Sequence, residues 1–340
     1  MKINKTELQN ALEIVKPGLA NKEVIEQSAS FAFIEGHVVT YNDTISVSHP
    51  IKGLEFEGAV RAEELYQFLR RTNKEEIELA PKENEVVMKA GNAKAGLSFQ
   101  QQVVLPIEEI SGEKKWKKLP DKFCENIDFA KDSTSKDMSR RILTCVHVTK
   151  EFVEASDSFQ ILRTDMNGFP FKEALIPAEV ITDIVKIKPT KVAEGEGWLH
   201  FKNDQGTVLS SRVLAAEFPD TSSLLDLEGI EVTFPKKMNE ILDRAMVFTK
   251  KEHELDEEME VIIKEGKLKV HGKNEYGWFR EQAKINYNND PISFWIAPSL
   301  LKNILSRSNT CIVGEDKLRF NGDGWCYVAV LRDMANENEE

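Results

Sequence analysis

A short pattern recurs three times in this chain, about one third of its length apart. It runs over Val60–Arg70, Ile176–Lys186 and Ile296–Leu305. Aligned, the copies place apolar residues in register: Leu65, Ile181 and Leu301; then Phe68, Ile184 and Ile304; then Leu69, Val185 and Leu305. Their i, i+3, i+4 spacing predicts a helix in each copy. Counted from Leu65 to Ile181 and from Ile181 to Leu301, the copies lie 116 and 120 residues apart. Solenoid repeats run at about 20–50 residues, so a period of this size is a whole small domain. Three tandem copies of one domain constrain the chain to a quasi-symmetric object. Each copy, at about 113 residues, is long enough to bury its own core.

On this reading the 340 residues divide into 1–118, 119–230 and 231–334, with an acidic tail over 335–340 expected to be disordered. The polar stretch Ser111–Lys118 marks the first boundary, and Phe218–Ser223 leads into the second near Gly229. A chain 41% apolar and 30% charged reads as a soluble globular protein. No apolar run approaches the ~20 residues needed to span a bilayer. The start Met1–Lys5 has no apolar signal region behind it. The expected location is therefore cytoplasmic, with no membrane partner.

Cys124, Cys145, Cys311 and Cys326 form no Cys-x-x-Cys pair and read as reduced thiols. Cys145 and His147 lie two apart, but two ligands do not make a structural zinc site, so neither metal nor cofactor is expected. The formal net charge is −12, distributed as −2, −6 and −4 over residues 1–118, 119–230 and 231–340. This balance counts against tight binding of DNA on an open surface. It leaves room for a small basic inner surface beneath an acidic exterior.

Each third carries a first helix as well: Lys5–Val15, a segment near Asp121–Ala130 and one near Lys236–Phe248. Asn4 or Thr6 can cap the first, and Lys16-Pro17-Gly18 stops it. Short strand-like runs fill the remainder, among them Ala29–Ile34, Val38–Tyr41, Phe152–Ala155, Val208–Val213, Trp278–Ile285 and Trp325–Leu331. Glu35-Gly36, Asn203–Gly206, Glu265-Gly266 and Asn321–Gly324 are hairpin turns. Many short strands with two segregated helices per unit indicate an α+β fold with mostly antiparallel sheets.

This arrangement resembles the bacterial-type DNA sliding clamp, the β subunit of the replicative DNA polymerase. Val39–Ile45 looks like the family's Thr-Gly-Thr-Asp segment, and Phe152–Ile161 is similar to its Ala-Thr-Asp-Gly-His-Arg-Leu. Phe218-Pro219-Asp220 matches the close of the family's second domain, and Tyr327–Arg332 resembles its final strand. Ser158-Phe159-Gln160 stands where the family has Gly-His-Arg, and Asp226 where it has proline, so a divergent or phage-encoded member is indicated. The resemblance implies three clamp domains per chain, two helices and antiparallel sheets each. Two chains close head to tail into a pseudo-sixfold ring around duplex DNA. The implied function is that of a non-catalytic processivity factor with no cofactor. It tethers the replicative polymerase and clamp loader, and other replication or repair proteins, through short linear peptides.

The resemblance also implies sites. Its peptide pocket maps to Leu143, Ser156, Ser158, Phe159, Gln160 and Ile161 on one side and Val328, Val330 and Leu331 on the other. Core packing is the competing account of the apolar members. Candidate DNA-facing residues are Lys5, Lys22, Arg70, Arg71, Lys74 and Lys122, then Lys186, Lys188, Lys236, Lys237, Lys302 and Arg307. Complementing helix C-terminal dipoles is the plainer role for such cations. The homodimer interface maps to Leu97 and Phe99 against Val247 and Phe248. Two other classes compete. One is a non-catalytic repeat-domain interaction scaffold without DNA in its ring. The other is an enzyme, for which the sequence offers no Gly-rich phosphate loop, nucleophile elbow or metal-spaced ligand set.

Overall fold

The computed structural model describes residues 1–111, 114–252 and 256–332. The expected acidic tail over 335–340 lies outside the described residues. The fold is α+β and its sheets are antiparallel throughout the described ladders. The two helices expected in each third fall where the periodicity places them, and one further helix of a single turn is an addition to them. They are α1 (Lys5–Val15), α2 (Ala62–Arg71), a one-turn α3 (Glu108–Ser111), α4 (Phe123–Lys131), α5 (Ala178–Ile187), α6 (Met238–Thr249) and α7 (Pro298–Leu305). No helix among the described residues is long and apolar enough to cross a membrane.

Local chemistry sets the helix ends. Asn4 caps α1, its side-chain oxygen accepting from the N–H groups of Thr6 and Glu7 at 2.9 and 3.1 Å. Pro17 converts the end of α1 into a single 3₁₀ turn. The repeated segments α2, α5 and α7 each follow directly on a strand and have no side-chain cap. Their first registered residues, Leu65, Ile181 and Leu301, are buried, as are Leu69, Ile184 and Ile304.

The chain forms two compact units. One comprises residues 1–128 and 168–215, and the other 129–167 and 216–340. The expected segment 119–230 is thus shared between them.

In the first unit twelve strands make one sheet. Their spatial order is Lys2–Asn4, Glu76–Pro81, Glu85–Ala90, Ala93–Gln100, Gly58–Arg61, Ser30–Ile34, His37–Tyr41, Ile45–Pro50, Val208–Arg212, Trp198–Lys202, Lys191–Gly195 and Lys117–Lys118. The first strands of the chain meet strands from beyond residue 190 at one seam, where Val47 pairs with Leu209 and Ser46 with Ser210. Helix α1 packs on α2.

In the second unit Cys145–Thr149, Phe152–Ser156, Gln160–Asp165, Trp325–Val330, Lys317–Gly322, Thr310–Val313 and Ile230–Thr233 follow one another in a second sheet. Its seam pairs Ile161 with Val328 and Leu162 with Tyr327. A third sheet has the order Gly277–Lys284, Lys267–Asn274, Met259–Lys264 and Ile292–Ile296. Helix α6 packs on α7. The tight turns at Glu35-Gly36 and Glu265-Gly266 place both residues at positive φ, as two-residue hairpins require.

Ile181 on α5 is fully buried and carries one of the repeated positions. Ile181→Ala is expected to destabilise its unit by about 2–5 kcal/mol, read from urea unfolding. Exposed Thr182→Ala should stay within about 0.5 kcal/mol of the parent.

Candidate functional site

The two sequence segments assigned to one site, Ser156–Ile161 and Tyr327–Leu331, meet at the seam of the second unit. Gln160 pairs with Ala329, Ile161 with Val328, and Val330 N–H donates to the Phe159 carbonyl at 2.9 Å. Side chains alternate across a strand, and directly paired residues share a face. One face therefore carries Phe159, Ile161, Val328 and Val330. Phe159 and Val330 are exposed, Ile161 and Val328 buried beneath them. The opposite face carries Gln160, Leu162, Tyr327 and Ala329, all buried.

A tight turn holds Phe159 outward. Asp157 Oδ1 accepts from the N–H groups of Phe159 and Gln160, both at 2.9 Å, and Ser158 sits at φ 81°. Gln160 turns inward: its Nε2 donates to Asp157 Oδ2 at 2.7 Å, and the Tyr327 hydroxyl lies 2.8 Å from its Oε1. Burial pushes the Asp157 carboxyl up, against the pull of the Gln160 amide and the two turn N–H groups. Gln160 thus belongs to a buried polar network rather than to the apolar face. Ser156 is buried, and its Oγ accepts from Ser158 N–H at 3.2 Å. Leu331 is buried and Leu143 half-buried. Arg140 reaches across from the 3₁₀ segment Met138–Thr144 to donate to Ser158 Oγ at 2.8 Å.

Sequence reasoning missed the third side of this face. Register places Arg163 two residues beyond Ile161, Arg319 opposite Val328 and Lys317 opposite Val330, all on the same face. These three hold the segment Thr221–Asp226 against it. Arg163 Nη2 donates to Thr221 Oγ1 at 2.9 Å, Lys317 Nζ to the Leu224 carbonyl at 3.2 Å, and Arg319 Nη1 to the Leu225 carbonyl at 3.1 Å. Leu224 stands 48% exposed beside the apolar quartet's strands. The signal available in the sequence was alternation: Ile161 and Arg163, like Lys317 and Arg319, are two apart on strands.

Glu154, buried, lies at the root of this arrangement. It accepts from His147 Nδ1 at 2.9 Å, Thr221 Oγ1 at 2.6 Å and Arg163 Nη2 at 2.9 Å. Burial alone would raise its carboxyl, but His147, Thr221 and Arg163 together hold it below the ordinary value. A carboxylate with a lowered value contributes stability that is full above the unfolded value and is lost as pH falls through the folded one. Urea unfolding at stepped pH should therefore have the second unit weaken below about pH 4.5. Glu154→Gln should be less stable at neutral pH by about 3–5 kcal/mol, with a flatter acid limb. An acid limb as steep as the parent's would remove Glu154 from this role.

The candidate interface residues separate. Leu97 and Phe99 are buried within their own unit, Phe99 edge-on to Phe56 at 6.0 Å. Alternation along Ala93–Gln100 directs them into the core, so these two side chains do not face outward. Val247 is 64% exposed at the end of α6, and Phe248 stacks on Phe279 at 6.1 Å. Exposed Tyr276 and Trp278, absent from the interface expected from the sequence, stand at the start of the adjacent edge strand.

The candidate DNA-facing cations are mostly exposed; Lys5 is half-buried. Several already have partners: Lys186 pairs with Asp183 at 2.9 Å, Lys302 pairs with Asp243, and Arg307 lies 3.6 Å over the Phe129 ring. Lys186 and Lys188 line a cavity of about 570 Å³ together with Glu13, Asp183 and Asp204. Lys236 and Arg307 line a second, of about 280 Å³, whose other lining residues include no carboxylate. Arg70, Arg71 and Lys74 cluster at and beyond the end of α2, and Lys22, Lys122 and Lys237 stand on other exposed surfaces.

Comparison with known proteins places this fold. No protein-family model matches the sequence, and no curated protein matches it either. Solved structures match nearly end to end. The DNA polymerase III subunit β of Pseudomonas aeruginosa agrees with a TM-score of 0.86 at 15% identity, over 98% of this chain and 100% of that one. The sliding clamp of Bartonella birtlesii, solved bound to griselimycin, agrees at 0.87 and 15% identity over 98% and 99%. The DNA polymerase III β subunit of Thermotoga maritima agrees at 0.80 and 17% identity, again over 98% and 99%. The chain has the sliding-clamp fold, as the resemblance implied, in a sequence far removed from these relatives.

Proposed function

We propose that this chain is a DNA sliding clamp: two copies close head to tail around duplex DNA and tether polymerase and clamp loader by short peptides. The observation that carries this reading is an unfinished pairing rule. Strands Ile45–Pro50, Gln160–Asp165 and Gly277–Lys284 begin 115 and 117 residues apart. Strands Ala93–Gln100, Val208–Arg212 and Trp325–Val330 begin at the same two intervals. Ile45–Pro50 pairs with Val208–Arg212, and Gln160–Asp165 with Trp325–Val330. Of the remaining members, Gly277–Lys284 is a sheet edge, while Ala93–Gln100 lies between Glu85–Ala90 and Gly58–Arg61 but meets the latter only through Phe99 and Gln100, which leaves one side of Ala93–Ser98 without a described strand partner. On this reading, each is completed by the other strand of a second copy.

Three such domains per chain, at 1–118, 119–230 and 231–334, make half of a six-domain ring. An unpaired edge beside exposed apolar residues is otherwise a liability, and Tyr276, Trp278 and Val247 flank this one. Val247 is the cleaner residue to test, because Phe248 already packs on its own unit. Val247→Asp is expected to shift the chain from dimer to monomer in light scattering at micromolar concentration. A variant that stays dimeric moves the interface elsewhere.

A ring needs no base contacts, since phosphate contacts position without reading sequence. With a net charge of −12, binding to open duplex should be weak and salt-sensitive. Each neutralised phosphate contributes about −0.9 to the slope of log K against log salt. Among the candidate contacts, Lys236 and Arg307 are favoured because the cleft they line includes no carboxylate. The loaded protein should be retained on circular DNA and lost from linear DNA with free ends. Equal retention on both would favour the alternative, a repeat-domain scaffold with no DNA in its ring. A chain that is no enzyme in its own right fits the same reading.

The face of Phe159, Ile161, Val328 and Val330, with half-buried Leu143 near by in sequence, suits a short peptide with apolar and aromatic anchors. Val330→Asp places an unpaired charge there. Titration with a labelled hexapeptide carrying two leucines and a phenylalanine should give saturable binding to the parent and none to Val330→Asp, with the dimer intact. Equal affinities would move the peptide site elsewhere.

A further inference from the structure

We infer that the buried group Glu154–Arg163–Thr221 positions the turn Thr221–Asp226 as a wall of the peptide groove, and so sets how long a bound peptide stays. This inference rests on the peptide-binding reading above. It concerns positioning residues that touch no peptide themselves.

The turn is fixed at both ends by charges rooted in the sheet face that it covers. At its start the Thr221 hydroxyl donates to Glu154 Oε2 at 2.6 Å and accepts from Arg163 Nη2 at 2.9 Å. Ser222 Oγ adds a longer contact with Arg163, at 3.4 Å. At its end the carbonyls of Leu224 and Leu225 accept from Lys317 and Arg319. Between these ends the turn is a single 3₁₀ segment, Ser222–Leu224, with Leu224 N–H donating to the Thr221 carbonyl at 3.0 Å.

The physical argument is about what release of the turn would leave behind. Glu154 is buried and ionised, and a buried carboxylate deprived of a donor is costly. Lifting the turn removes the Thr221 hydroxyl from Glu154 and two hydroxyl acceptors from Arg163. The network therefore resists opening, and its resistance is transmitted to Leu224, whose side chain is turned to solvent. An exposed leucine held by this many polar anchors makes sense as a contact surface, since unaided packing would bury it. The Arg319 position agrees. Its Nε is buried and, among the described residues, has no hydrogen-bond partner. A peptide carbonyl arriving beside Val328 is a group that could satisfy it after a small adjustment.

The test uses the full chain and the labelled hexapeptide with two leucines and a phenylalanine. Stopped-flow displacement gives the dissociation rate, and thermal unfolding gives the stability of each variant. Thr221→Val removes the hydroxyl and keeps the shape, and Glu154 retains His147 and Arg163. It is expected to release the peptide about tenfold faster, with the association rate unchanged. Thr221→Ser should restore the parent rate. Leu224→Ser, on the surface, should release the peptide about as fast as Thr221→Val without lowering the melting temperature. The double variant should be no faster than either single, because a turn out of place has no wall to lose.

A parent-like release rate for Thr221→Val overturns the inference while leaving the groove in place, provided Val330→Asp still abolishes binding. Fast release from Thr221→Val with parent-like release from Leu224→Ser also overturns it, since the network would then support the floor rather than a wall. If the parent itself fails to bind the hexapeptide, the groove reading falls and this inference falls with it.

Discussion

An antiparallel sheet has two edges, and each edge carries unsatisfied N–H and C=O groups. That constraint organises this molecule more than any side chain does. Within the chain it is met twice, by Ile45–Pro50 with Val208–Arg212 and by Gln160–Asp165 with Trp325–Val330. Both seams join segments more than 150 residues apart in sequence, so neither forms early by local contact. They bring remote parts of the chain into fixed register, and register decides which side chains share a face. The apolar quartet at the second seam exists because Ile161 meets Val328; a slip by one residue would replace it with Gln160 and Tyr327.

The polar groups around that seam have a different task from the backbone pairing. Pairing sets the floor, while Glu154, Arg163, Lys317 and Arg319 set what stands on it. Buried charges stabilise little in net terms, because desolvation offsets most of their attraction. Their value is specificity of arrangement: each has a small number of geometries in which all donors and acceptors are used. Glu154 reaches that condition only with Thr221 in place, which ties a loop with little core of its own to the sheet.

Much of the fold was legible in the sequence because it is periodic. Leu65, Ile181 and Leu301 announced three equivalent helices, and all three are buried helical residues. Glu35-Gly36 and Glu265-Gly266 announced turns by steric need alone. The helix α1 was legible to its ends, since Asn4 and Pro17 act locally. Strands such as Gln160–Asp165 and Thr310–Val313 were not legible. Gln160-Ile161 was not assigned to a strand, because its strand character comes from a partner at Trp325–Val330 and not from its own propensity. The site was legible in part for the same reason. The resemblance brought Phe159 and Val330 to one place, but it could not tell that Gln160 faces the other way. The Thr221–Asp226 turn was missed because its holders, Glu154, Arg163, and the pair Lys317 and Arg319, lie on three strands and are united only by register.

Low identity and close structural agreement are compatible once these two levels are separated. The relatives share 15–17% of their residues with this chain and still agree at TM-scores of 0.80–0.87. Backbone pairing and apolar periodicity tolerate such divergence, because any β-branched or aromatic residue of suitable size can fill a strand position and any good apolar residue a helix register. The turn that presents Phe159 has no such redundancy. Phe159 is presented by one Asx turn, and that turn closes only because Asp157 and Gln160 satisfy each other beneath it. Changing the outward residue leaves the fold alone, whereas changing the inward pair does not. Phe159, Leu224 and Val330, all exposed, can therefore change with little structural cost, and those are positions where this chain has room to differ from the solved structures it resembles.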